Sequence, residues 1–403
     1  MMSEHDIETL TTALEAVSME YKRQDPQPTL LGGGPSGDAV ATLETAIERC
    51  EAYRAIAGKI LFSGGSGPIV DSHGLAVRLF DKGIHFADDV GGAVSWLMRL
   101  MTTRETTGLF KAAFWGLRID REIFLAPQSR LMPFDSLTDS HLKRRILDRA
   151  RPCYDGSQWL LQTYYDRPTA AFVETLLDFP YIRGDAAAFE VMNGAMREVD
   201  ELSVVLQASC VGSPVAVACW FEYADRELEW AEWENSLTWL LPEIHPSVKL
   251  VVAADGDRIT TSTGRYAGLV GDQRSRLLRS MERFRLSQSR KQSIDRVLDL
   301  ALAFEIALSD QGDNAPPSWK VSVRCAQLVG GQVDVRSRNR QAIASLYELR
   351  NQATHGGSLK PRGGKTVEAI LQDGFALYVS AMGKLLELGS KPDWKTVELQ
   401  PLG

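Results

Sequence analysis

The sequence predicts an α+β fold in two or more domains, with an all-α C-terminal helical bundle preceded by a mixed α/β N-terminal region. Three observations carry that prediction. At 403 residues the chain exceeds what one hydrophobic core usually serves. Short β-rich runs alternate with glycine turns between about residues 59 and 135, whereas apolar residues recur at helical spacing through nearly all of residues 274 to 389. The expected division is therefore 1–270, a sensing or regulatory part with a further split near 136, and 271–403, the helical domain.

In chain order, residues 7–23 and 39–58 read as helices separated by Leu31-Gly32-Gly33-Gly34-Pro35-Ser36-Gly37. Lys59-Ile60-Leu61-Phe62, Leu75-Ala76-Val77-Arg78-Leu79 and Leu117-Arg118-Ile119 read as strands, with a helix near Val94 to Met101. Residues 137–245 look mostly helical, including Leu202 to Leu206 and a segment holding Trp220, Trp230, Trp233 and Trp239. Trp230 and Trp233 stand at helical spacing among Glu227, Glu229, Glu232 and Glu234, an acidity that suits helix packing and repels nucleic acid. A hairpin is expected from Lys249–Ala254 and Ile259–Thr263 around Asp255-Gly256-Asp257. Helices are then expected near 274–286, 293–309, 318–329, 337–353 and 365–389, the last with Val367, Ile370, Leu371, Phe375, Val379, Met382, Leu385 and Leu386 on one face.

Composition excludes several classes. Hydrophobic content of 44% and charged content of 24% are those of an ordinary globular protein. No apolar run approaches the ~18 residues of a membrane span. The first residues, with Glu4, His5, Asp6 and Glu8, lack the basic-then-apolar order of a secretion signal, so no membrane association and a cytoplasmic location are expected. Cys50, Cys153, Cys210, Cys219 and Cys325 show no short paired spacing, which predicts buried free thiols, no disulfide framework and no metal site.

The net charge of −7 conceals an asymmetry. Residues 271–403 hold 20 Lys and Arg against 14 Asp and Glu, a net of +6, and residues 1–270 hold 25 against 38, a net of −13. Basic residues cluster at Arg274, Arg276, Arg279, Arg283, Arg285, Arg290 and Lys291, a pattern that suits a solvated helix face. They cluster again at Arg336, Arg338 and Arg340, a candidate surface for an RNA backbone because phosphate contacts supply most non-specific nucleic-acid affinity.

The second basic cluster leads into Leu349-Arg350-Asn351-Gln352-Ala353-Thr354-His355-Gly356-Gly357. Arg350 offers a permanently charged, planar fork suited to phosphate oxygens. His355, the one imidazole after residue 270, can exchange a proton near neutral pH. Ile343, Leu346, Tyr347 and Leu349 give the lead-in a helical period, and Gly356-Gly357 is read as its stop. Arg350 would then lie in the last turn and His355 at or past the helix end, free of the ~140° separation that five residues of continuous helix impose.

These residues resemble the HEPN ribonucleases, and within them the Apea-like branch, marked by an Arg, a following polar residue and a His, with four to six residues between Arg and His. The match reads Arg350-Asn351, three residues, then His355. Ser293 to Leu308, with its acidic Glu305, resembles the first long helix of that family, and the likeness covers roughly residues 271 to 390. It implies a bundle that pairs as a homodimer with both motifs facing a shared cleft. It also implies cofactor-independent cleavage of RNA, often tRNA, by 2′-hydroxyl attack, in a bacterial anti-phage defence or toxin effector released by an unknown trigger. Arg350, Asn351 and His355 would be the catalytic set. Glu305 would anchor Arg350 or set the His355 tautomer, and Tyr347, one helical turn before Arg350, would support the site by stacking on a base or else pack in the core.

Two other readings compete: a non-catalytic HEPN dimerisation or RNA-binding module, and a scaffold bundle serving an active N-terminal module. Other motifs fail. Arg78 to His85 meets the loose spacing, but apolar Leu79 follows the Arg in what reads as strand and turn. Gly363-Gly364-Lys365-Thr366 ends like a phosphate loop but has Leu359 where the leading glycine belongs, and Gly32–Gly34 and Gly64–Gly67 read as loops.

Overall fold

The computed structural model describes residues 4–23, 37–61, 69–85, 88–149, 167–183, 187–209, 214–228, 237–239, 252–253, 255–310, 317–356, 358–360 and 364–399. Much of the Leu31–Gly37 and Gly64–Gly67 runs, together with Cys153, Cys210, Trp230 and Trp233, lies outside the described residues.

The chain forms two compact units, one of residues 1–110, 175–194 and 220–238, the other of residues 111–174, 195–219 and 239–403. The boundary expected at residue 270 coincides with neither division, because the strands and helix between residues 105 and 223 pass from one unit into the other.

The first unit begins with α1 (Glu4–Arg23), α2 (Gly37–Arg49) and α3 (Glu51–Arg54). The single helix expected over 39–58 is broken at Cys50, whose backbone is extended. Buried Asp6 accepts hydrogen bonds from the Glu51 and Ala52 amides at 3.3 Å each, satisfying donors exposed at the restart. β1 (Ile60–Leu61) follows, and then α4 (Ser72–Phe80) stands where a strand over 75–79 was expected. Asp71 caps it through the Gly74 amide at 2.6 Å, and Leu75, Ala76, Leu79 and Phe80 are buried at helical spacing. Arg78 is helical, and Asp81–His85 forms a π-turn, so this segment is not strand and turn. α5 (Val90–Thr102) matches the expected helix.

Next come β2 (Glu105–Trp115), β3 (Leu117–Arg118), β4 (Ile123–Ala126), β5 (Ser129–Pro133), α6 (His141–Arg149), β6 (Ala170–Pro180), β7 (Ile182–Arg183), α7 (Ala187–Ser209), β8 (Val215–Tyr223) and β9 (Leu237–Trp239). A six-stranded sheet has the order β4-β5-β6-β2-β8-β9, in which β5 pairs antiparallel with β4 and β6. The mostly helical expectation for 137–245 is therefore corrected: α7 is a helix, but β6 and β8 are strands and Trp220 lies in β8. Every residue of β8 is buried, so its sequence runs apolar from Val215 to Phe221 with no two-residue alternation to mark it.

The expected hairpin is also corrected. β10 (Val252–Ala253) pairs parallel with β3, and α8 (Gly256–Ala267) replaces the second strand. Asp255 is its N-cap, accepting from the Asp257 and Arg258 amides at 3.1 and 3.2 Å, so Asp-Gly here starts a helix.

Five expected C-terminal helices appear as α9 (Gly271–Ser289), α10 (Ser293–Leu308), α11 (Pro317–Val329), α12 (Val333–Gly356) and α13 (Val367–Leu388), followed by the short α14 (Trp394–Leu399). Thr366 caps α13 through the Ala369 amide, and Gly389 ends it with φ of 65°, where glycine carries no Cβ penalty. At the centre Tyr378 stacks on Phe284 at 4.3 Å and meets Phe304 edge-on at 5.4 Å. The same core takes in Val204, Val205 and Ala208 of α7 and Tyr266 of α8, which ties the bundle to elements upstream of residue 271.

Candidate active site

α12 carries the motif because its Ile343, Leu346, Tyr347 and Leu349 bury one face against the bundle. The helix continues through Gly356, beyond the end expected at about 353. Arg350 and His355 therefore belong to one unbroken helix and leave its axis about 140° apart. In a single copy they diverge, which corrects the convergence expected from an earlier helix stop.

Arg350 is half-buried and faces α10. Its Nη2 lies 3.7 Å from Glu305 Oε1, and its Nη1 approaches Asn351 Oδ1 at 3.5 Å. Glu305 thus stands opposite Arg350 at ion-pair distance, with no hydrogen bond to its Oε1. Asn351 and His355 are exposed, and His355 makes no hydrogen bond or ion pair among the described residues. Tyr347 is only 3% exposed and belongs to the core, so its ring has no open face on which a base could stack. Burial, and after it the Glu305 carboxylate, push the Tyr347 phenol up, with Arg350 opposing.

Arg336, Arg338 and Arg340 do not form one stripe, since alternate helix residues lie about 160° apart around the axis. Arg336 donates to Gly331 O at 2.9 Å, Arg338 pairs with Asp334 at 3.3 Å, and Arg340 is exposed. The earlier basic cluster is largely committed within the bundle: Arg274 to Glu201 at 2.7 Å, and Arg283 and Arg290 to opposite oxygens of Asp299 at 3.1 and 3.2 Å.

Two features escaped the sequence. Gln352 holds the segment after α12 by a reciprocal clamp, its Oε1 accepting from Lys360 N at 2.6 Å and its Nε2 donating to Lys360 O at 3.1 Å. A cleft of about 570 Å³ runs between α12 and α13, lined by Arg338, Ser345, Glu348, Lys365 and Asp373 among others. Glu348 and His355, seven residues apart, share one row of α12 to within about 20°. No one-dimensional pattern marks the clamp, since it matches a side-chain amide to a backbone eight residues on.

Cys50, Cys219 and Cys325 are free and buried, and burial pushes each thiol up to about 12. Among the described residues no group of three His, Cys, Asp or Glu is arranged to hold a metal ion, and no helix is long and apolar enough to cross a membrane. No protein-family model, no curated protein and no solved structure matches this chain.

Proposed function

We propose that this chain is a metal-independent endoribonuclease acting through Arg350, Asn351 and His355. The observation that carries the reading is the arrangement on α12: a guanidinium at ion-pair distance from Glu305 on α10, and an exposed imidazole, unpaired among the described residues, five residues further along the same helix. A fixed cation and a free proton carrier are what a phosphodiester needs when the substrate brings its own nucleophile, as RNA does in the 2′-hydroxyl.

In this mechanism His355 accepts the 2′-hydroxyl proton as the 2′-oxygen attacks phosphorus. The bond from phosphorus to the 5′-oxygen breaks, and that oxygen takes a proton from the second imidazole of a pair. Arg350 stabilises the charge that builds on the pentacoordinate phosphorus, and Asn351 orients the phosphate. The products are a 2′,3′-cyclic phosphate and a 5′-hydroxyl. The ~140° divergence within one copy gives pairing a definite task, because a homodimer through the helical domain can bring Arg350 of one protomer and the imidazole of its partner to one phosphate. In the cell we read the enzyme as a cytoplasmic defence or toxin effector on RNA, tRNA included, with its acidic N-terminal part restraining it until triggered.

The same divergence also suits the second reading, a non-catalytic dimerisation or RNA-binding module. Cleavage of total cellular RNA and tRNA in excess EDTA separates the two. Wild type is expected to cut, Arg350→Ala to lose about 10²–10³-fold and His355→Ala about 10²–10⁴-fold. RNA that is bound but left whole by the wild type would favour the module, and cutting retained by both variants would place the chemistry elsewhere.

A further inference from the structure

We propose that Tyr347 is a positioning residue that exchanges with Arg350 at Glu305: when Arg350 turns toward a phosphate, the Tyr347 hydroxyl donates to Glu305 Oε1 in its place. Two buried orphan atoms point to this. Glu305 Oε1 is buried and accepts no hydrogen bond, and the cation it faces, Arg350 Nη2, stands at 3.7 Å. That is well beyond the ~2.7–2.9 Å of a charge-assisted hydrogen bond. Tyr347 Oη is likewise buried and makes no hydrogen bond of full geometry, although it stands near enough to Glu305 for that carboxylate to act on it as an acceptor as well as a charge. One orphan is an acceptor and the other a donor, and they belong to facing helices of one core, α10 and α12.

Buried polar atoms are nearly always satisfied, so a matched pair left open side by side calls for a second state in which they meet. Glu305 already acts on the phenol, and burial and that carboxylate both keep it in the protonated form that can donate.

The exchange removes an obstacle to phosphate capture. A carboxylate stripped of its cation in a buried setting is strongly disfavoured, so Glu305 would oppose the departure of Arg350 if nothing replaced it. Arg350 is 37% exposed on its side chain and Glu305 21%, so the guanidinium has a path outward while the carboxylate stays behind. Tyr347 touches no substrate in this scheme and acts through Arg350. The inference rests on the nuclease reading only for the phosphate that draws Arg350 away.

A stability cycle on the full chain tests the exchange without RNA, using Arg350→Ala to imitate the departed guanidinium. Tyr347→Phe alone is expected to shift the urea unfolding curve only slightly, since at rest the hydroxyl approaches Glu305 without a hydrogen bond of full geometry. In the Arg350→Ala background the same change is expected to lower the folded-to-unfolded ratio about tenfold or more, the worth of a hydrogen bond to a charged group. Additive effects of the two substitutions would overturn the exchange.

The second arm measures the dissociation constant for a 2′-O-methyl RNA oligonucleotide, whose blocked nucleophile prevents cutting. Tyr347→Phe is expected to weaken binding about tenfold in the wild-type background and not at all in Glu305→Gln, where no charge is left behind. Equal weakening in both backgrounds would overturn the exchange in favour of a structural hydroxyl. A wild type without RNA affinity would instead overturn the nuclease reading, and the urea cycle would still decide what happens at Glu305.

Discussion

Arg350 has its cation half-satisfied by Glu305 and half open, while His355 stands on another side of the same helix, unpaired among the described residues. The candidate residues were legible from their order alone because each has an intrinsic chemistry: a guanidinium is a permanent cation and an imidazole is a side chain that can carry and release a proton. Their relative direction was not legible, because it depends on whether α12 stops before or after His355. Glycines at 356 and 357 permit a stop without dictating where it falls. Away from the motif, Glu174 of β6 shows a second residue-scale consequence. Burial, and after it the charge of Glu198, raise its carboxyl from 4.5 to about 7. A carboxyl raised on folding binds its proton more tightly in the native state, so its stabilising share is present below pH 4.5 and is lost as pH rises through about 7. Glu174→Gln is therefore expected to be increasingly more stable than wild type as pH climbs from 4.5 to 7, a difference that urea midpoints at pH 5 and pH 8 would read. A constant difference would mean that Glu174 does not titrate in that window.

At the scale of elements, the helices of the bundle were readable and several strands were not. α10 and α13 each bury one face, and the other is half-buried in α10 and largely exposed in α13, so their apolar residues recur with the helical period in plain view. β8 is buried throughout and α8 opens on Asp-Gly, so in both places a local pattern fits two structures and packing chooses between them. Polar contacts between elements are invisible to any period. Ser280 of α9 donates to Ala303 O of α10 at 2.7 Å or shares a hydrogen bond with Tyr378 Oη of α13 at 2.6 Å, and it is fully buried. Ser280→Ala would leave the Tyr378 hydroxyl without that partner in the core. We expect a loss of about 1–3 kcal/mol in chemical denaturation; a change under a few tenths would mean that the hydroxyl finds another acceptor.

For the whole molecule, the bundle is not closed at residue 271. Tyr266 and Leu269 enter its core from α8 and the segment after it, and Glu201 of α7 binds both Arg274, at 2.7 Å, and Tyr266 Oη, at 2.8 Å. A fragment of residues 271–403 is therefore expected to unfold at lower urea than one of residues 255–403, which keeps α8 with its Asp255 cap; equal midpoints would show the bundle self-sufficient. It follows that a short fragment lacking nuclease activity would say little about where the chemistry resides, and the full chain is the form to assay. The amino-acid sequence by itself determined the helical bundle and singled out Arg350, Asn351 and His355 as the candidate set, because periodicity and side-chain chemistry are local properties that survive without a fold. Only the tertiary structure decided that Glu305 faces Arg350, that His355 diverges from it, and that upstream helices complete the core. Each of those depends on which distant segments pack together, a competition for burial that no stretch of sequence states alone.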